Sequence, residues 1–122
     1  MAIRVILFIK DFELGSRLST ACVDSGCEVL FADENSDPAS FDPTIKLAIV
    51  DMNEEIFSSV GLISELKRRG IRIIGTKTNL NNKERTKLQN VGCDIILNRN
   101  SLIKSISRVL TEFLDSKPEE PN

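Results

Sequence analysis

The sequence predicts an α/β domain built on a doubly wound, five-stranded parallel sheet with helices on both faces. Three observations carry this expectation. Five short apolar runs, at residues 3–9, 28–32, 45–50, 71–75 and 94–97, alternate with stretches of helical length. The first and third runs are almost unbroken Val, Ile, Leu and Ala, as in strands buried on both faces. Gly26, Gly70 and Gly92 each close a helical stretch just before the next run, the position where a helix stop belongs.

The intervening segments follow in order. Residues 12–25 place Leu14, Leu18, Ala21 and Cys22 on one face of an amphipathic helix. Residues 33–44 are polar and contain Pro38 and Pro43, so they predict a loop or a single helical turn. From Glu55 onward, Ile56, Val60, Ile63 and Leu66 recur at helical spacing, and Lys67-Arg68-Arg69-Gly70 suits a carboxyl end. Gly61 within that span weakens its first turn and shifts the expected start. Residues 81–91 predict a polar helix with a thin apolar side of Leu80, Leu88 and Val91. Ser101 is the expected N-cap of a last helix carrying Leu102, Ile103, Ile106, Val109, Leu110, Phe113 and Leu114. The prolines and charges beyond it predict a disordered tail at 116–122, leaving one domain over 1–115.

At 122 residues the chain suffices for one domain with a real core. Hydrophobic residues make up 41% and charged residues 28%, a globular composition, and no apolar run approaches a membrane span. Residues 5–9 run directly into Lys10 and Asp11 without a small-residue cleavage site, so they read as a strand, and the expected compartment is cytoplasmic. Three cysteines without CxxC spacing read as reduced structural thiols. The absence of His removes Ser-His-Asp and Cys-His catalysis and His-ligated zinc. The net charge of −2 conceals an asymmetry: residues 11–55 hold eleven acids and two bases, residues 56–108 eleven bases and three acids. Solvated helix faces account for much of this. Because Trp and Tyr are absent, no broad aromatic platform accompanies the bases, which argues against direct nucleic-acid binding.

The chemistry collects at the carboxyl ends of the strands, where open α/β sheets hold their sites. Asp11 follows the first run, Asp51-Met52-Asn53 closes the third, and Thr76 closes the fourth. Taken singly, each has an ordinary reading: a loop carboxylate satisfying amides, or a β-branched strand residue. Their joint placement resembles bacterial response-regulator receiver domains, the CheY-like family of the flavodoxin-like fold, over about residues 3–114. The resemblance implies the strand order 2-1-3-4-5. It assigns Asp51 as the phosphoacceptor, Thr76 as the hydroxyl that follows the phosphoryl group, and Asp11, Asp51 and Asn53 as the Mg2+ site. The strand-five Lys position falls on Arg99, or on Asn98 if the loop is one residue shorter. It further implies a histidine kinase or phosphotransfer protein upstream, a downstream protein target, and an output surface at Lys87, Arg99, Lys104 and Arg108.

The departures are as informative. Lys10 stands where the family has an acid, and Ile95 or Ile96 replaces the aromatic switch residue. Exchanging an acid for Lys changes the local charge by two units, which opposes Mg2+ binding. The expectation is therefore a stand-alone receiver-like signalling domain, not an enzyme, with Mg2+-dependent phosphorylation of Asp51 impaired or absent. In that state Lys10 or Arg99 pairs with Asp51, and the domain works through protein contacts, a homodimer among them. Glu13 is a substitute metal oxygen if it reaches the site. Two alternatives stand beside this: a fully phosphorylatable regulator, and a small flavodoxin-like ligand-binding domain. The absence of GxGxxG and P-loop signatures counts against the latter.

Overall fold

The computed structural model describes residues 3–57 and 60–115. The expected tail at 116–122 lies outside them. The strands are β1 (Arg4–Phe8), β2 (Glu28–Phe31), β3 (Ile45–Asp51), β4 (Arg72–Thr76) and β5 (Ile95–Leu97). The helices are α1 (Phe12–Asp24), α2 (Val60–Arg68), α3 (Asn82–Val91) and α4 (Arg99–Asp115). All strand pairs are parallel, in the order β2-β1-β3-β4-β5, as expected. This order sends the chain outward in opposite directions from the β1–β3 boundary, so the ends of those two strands form the switch point.

Alternation along the strands divides the core between two faces. Val5, Leu7, Leu47 and Ile49 pack with Leu14, Leu18 and Cys22 of α1 and with Leu102, Ile106 and Leu110 of α4. Ile6, Phe8, Ala48 and Val50 pack on the other side with Ile63 and Leu66 of α2, where Phe57 meets Phe8 edge to face at 5.5 Å. Segment 33–44 forms only the single 3-10 turn Pro38–Ser40, after which Phe41 packs on this second face beside Phe8, ring centroids 6.2 Å apart. On the edge strand β2, Leu30 on this face and Phe31 on the α1 face both remain exposed.

Two element starts differ from the sequence reading. The expected helix from Glu55 divides into a 3-10 turn, Glu55–Phe57, and α2, which begins at Val60 just before Gly61. The last helix begins at Arg99, a turn earlier than the Ser101 cap implies. Asn98 is the N-cap, its Oδ1 accepting from the Ser101 amide at 2.8 Å. Ser101 is therefore inside the helix. The three thiols are free and buried, and burial pushes those of Cys22 and Cys93 up to about 12, as inert structural cysteines require.

Candidate functional site

The strand register builds the site. Asp51 lies opposite Thr76 in the β3–β4 ladder, and the Met52 amide donates to the Thr76 carbonyl at 2.8 Å. Both side chains are fully buried. Asp11 is the N-cap of α1, its Oδ1 accepting from the Leu14 amide at 2.9 Å. This ties the end of β1 to the start of the helix and fixes the carboxylate above the sheet.

Arg99 joins these parts. Its Nη1 donates to Asp11 Oδ2 and its Nη2 to Asp51 Oδ2, each at 3.2 Å. The two atoms of one planar guanidinium thus span two carboxylates, a geometry that a single ammonium cannot reproduce. Arg99 is the first residue of α4, where the helix dipole disfavours a cation by roughly 0.3–1 kcal/mol. The two carboxylates offset that cost. Asp51 Oδ1 accepts from the Asn53 amide at 3.0 Å, so each of the four carboxylate oxygens has a donor.

The expected residues separate accordingly. Asp11, Asp51, Thr76 and Arg99 come together. Asn53 sits at the rim, where its side-chain oxygen accepts from the amide and hydroxyl of Thr78 and links the loops after β3 and β4. Asn98 caps α4, and Arg99, the residue after it, is the one that reaches the two acids. Lys10 is exposed and forms no ion pair among the described residues. Of the two cations considered for Asp51, only Arg99 reaches it. Glu13 is exposed and pairs with Arg17 at 3.2 Å, so it supplies no oxygen to the site. Lys87, Lys104 and Arg108 are exposed, whereas Arg99 of the same expected surface is turned inward.

Lys77 follows Thr76 at the end of β4. Its Nζ meets Glu84 at 2.9 Å and braces the loop after β4 against α3. Asn81 with Glu84 three residues on is a helix-start signature that could have placed this acid. Arg85 Nη1 donates to the Ile96 carbonyl at 2.7 Å and fastens the polar helix α3 to β5. The buried Thr76 Oγ1 and Arg99 Nε have no hydrogen-bond partner among the described residues.

The donor set does not fit Mg2+ while Arg99 is in place. The guanidinium already bridges the two acids, and no group of three or more acid, thiol or imidazole ligands occurs among the described residues. Asp11, Asp51, Lys10 and Arg99 sum to zero charge, so little attraction is left for a dication.

The Leu14 amide bond is the largest influence on Asp11 and holds its carboxyl below the ordinary value of 3.8; burial opposes it and Arg99 adds to it. A depressed folded-state value means stabilisation present above the unfolded value and lost as pH falls through the lower folded one. The Leu14 amide resonance should therefore titrate with a midpoint below 3.8, and this transition should vanish in Asp11→Asn. A midpoint at or above 3.8 would contradict the cap.

No protein-family model matches the sequence, and no curated protein does. Solved structures do. A phosphorylated cyanobacterial phytochrome response regulator superposes with a TM-score of 0.78 at 13% identity, covering 98% of this chain and 100% of that one. The Francisella response regulator 1452 receiver domain gives 0.75 at 15%, covering 94% and 99%. A response regulator from Thermotoga maritima gives 0.68 at 13%, covering 91% and 99%. Together with the parallel order β2-β1-β3-β4-β5, these likenesses give the chain the flavodoxin-like fold in its CheY-like form.

Proposed function

We propose that this chain is a receiver-like signalling module of a two-component phosphorelay in which Arg99 takes the place of a metal. Asp51 is the phosphoacceptor position, and its Mg2+-dependent phosphorylation is impaired or absent. The observation that carries this reading is the single guanidinium bonded to both Asp11 and Asp51. It neutralises the acid pair without a dication and holds the loops after β1 and β3 to the start of α4. Signalling then passes by protein contact. The upstream protein is a histidine kinase or phosphotransfer protein, and the exposed bases Lys87, Lys104 and Arg108 offer an acidic target one surface.

The buried, unpartnered Thr76 hydroxyl opposite Asp51 favours the second reading, a site that still accepts a phosphoryl group. Intact-mass analysis after incubation with acetyl phosphate and Mg2+ separates the two, with Asp51→Asn as control. The expected result is no adduct, and no Mg2+-dependent shift of the Asp51 and Asn53 amides in parallel NMR spectra. An adduct that disappears in Asp51→Asn would establish the second reading.

A further inference from the structure

Helix α1 buries Leu14, Leu18 and Cys22 and turns another side to solvent. There Phe12 is 87% exposed and Val23 57% exposed. At 3.6 residues per turn, Phe12, Ser16, Ser19 and Val23 form one stripe, with spacings of four, three and four as along a helix–helix seam. Beside it, Phe31 at the end of β2 is 58% exposed and lies so close to Gly15 that an added Cβ would come within 3.3 Å of its ring. A groove of about 460 Å³ runs between this ring and the stripe. Singly exposed apolar residues are ordinary on a protein surface, but two exposed aromatic rings, Phe12 and Phe31, lining one groove are not.

The stripe is self-complementary. Large apolar residues stand at its two ends and small hydroxyl residues at its centre, where a second helix can approach closely. The charges follow the same plan. Lys10 precedes the helix and Asp24 ends it; both are exposed, and neither has an ion pair among the described residues. In an antiparallel pair of α1 helices, the register that sets Ser16 against Ser19 of a second copy also sets Phe12 against Val23. It brings Lys10 beside Asp24. The twofold axis repeats each contact, as an isologous interface requires.

We infer that the exposed stripe of α1 is a self-association surface, on which a second copy of this chain docks antiparallel through Phe12, Val23 and the Lys10–Asp24 pairs. The inference is independent of whether Asp51 is phosphorylated. It would also give Lys10 a partner away from Asp51.

Sedimentation equilibrium over a concentration series tests it on the full chain. The expected result is a monomer–dimer equilibrium that weakens as salt rises. Phe12→Ser should loosen it about thirtyfold, the effect of losing a central aromatic anchor. Lys10→Asp and Asp24→Lys should each loosen it about tenfold, counting both symmetric pairs. The doubly exchanged chain should recover. All three side chains are exposed, so melting curves recorded at concentrations low enough to keep the chain monomeric should be unchanged. A monomer at every concentration, a dimer indifferent to these substitutions, or no recovery in the double exchange would overturn the inference.

Discussion

Arg99→Ala is expected to destabilise the fold by about 2–3 kcal/mol. Removing one partner of a buried ion pair costs roughly 3–5 kcal/mol, because the other charge stays buried without compensation. Asp51 meets that condition, being fully buried, but Arg99 is 30% exposed, so water reaches the gap and lowers the figure. Urea unfolding of wild type and variant reads the difference. The double variant Arg99→Ala with Asp51→Asn should regain much of the loss, since no unpaired carboxylate is then buried. Arg99→Lys should fall between, keeping the charge without the two-pronged geometry. A change within about 0.5 kcal/mol for Arg99→Ala, the ordinary size for a surface residue, would show that the bridge holds nothing together.

The uneven legibility of the site has one structural cause. The strand ends could be read because apolar runs stop at polar or charged residues, which placed Asp11, Asp51 and Thr76 on one rim. The starts of the helices could not be read as well. In Asn98-Arg99-Asn100-Ser101 three residues can cap a helix, and apolar periodicity begins only at Leu102. A first helical turn without an apolar residue leaves no periodic signal, so Ser101 was the natural choice. The true cap, Asn98, starts α4 a turn earlier and seats Arg99 at its first position, over the strand ends. The unforeseen start and the choice of Arg99 over Lys10 are therefore one finding. Nearness in sequence favours Lys10, one residue from Asp11, but Lys10 points to solvent while Arg99 crosses 88 residues of sequence to reach that acid. The start of α2 was obscured differently, because Ile56 fits a helical pattern although it belongs to a 3-10 turn.

If Arg99 and Lys10 together exclude the metal, Lys10→Asp with Arg99→Lys should create a Mg2+ site. Two unit charges roughly 4 Å apart interact by about 1 kcal/mol in water and about 4 kcal/mol at an effective dielectric near 20. A dication doubles the term, and exchanging Lys for Asp doubles it again, giving about 4 kcal/mol even in water. Lys10 is exposed and need not lie that close, so about 2–3 kcal/mol is the reasonable expectation, or roughly a hundredfold in affinity. Arg99→Lys leaves a cation for buried Asp51 but frees at least one carboxylate oxygen, since one ammonium does not span both acids in the guanidinium's manner. Manganese-induced broadening of the Asp51 and Asn53 amide resonances reports the new site apart from any phosphorylation. Lys10→Asp alone should give a smaller gain, because Arg99 still bridges the acids. It should also loosen the α1 pairing, so both effects need measuring at one protein concentration. A folded double variant with no metal response would mean that the obstacle lies in the backbone positions of the acids, not in the two cations. The guanidinium would then be filling a site that had already lost its metal geometry.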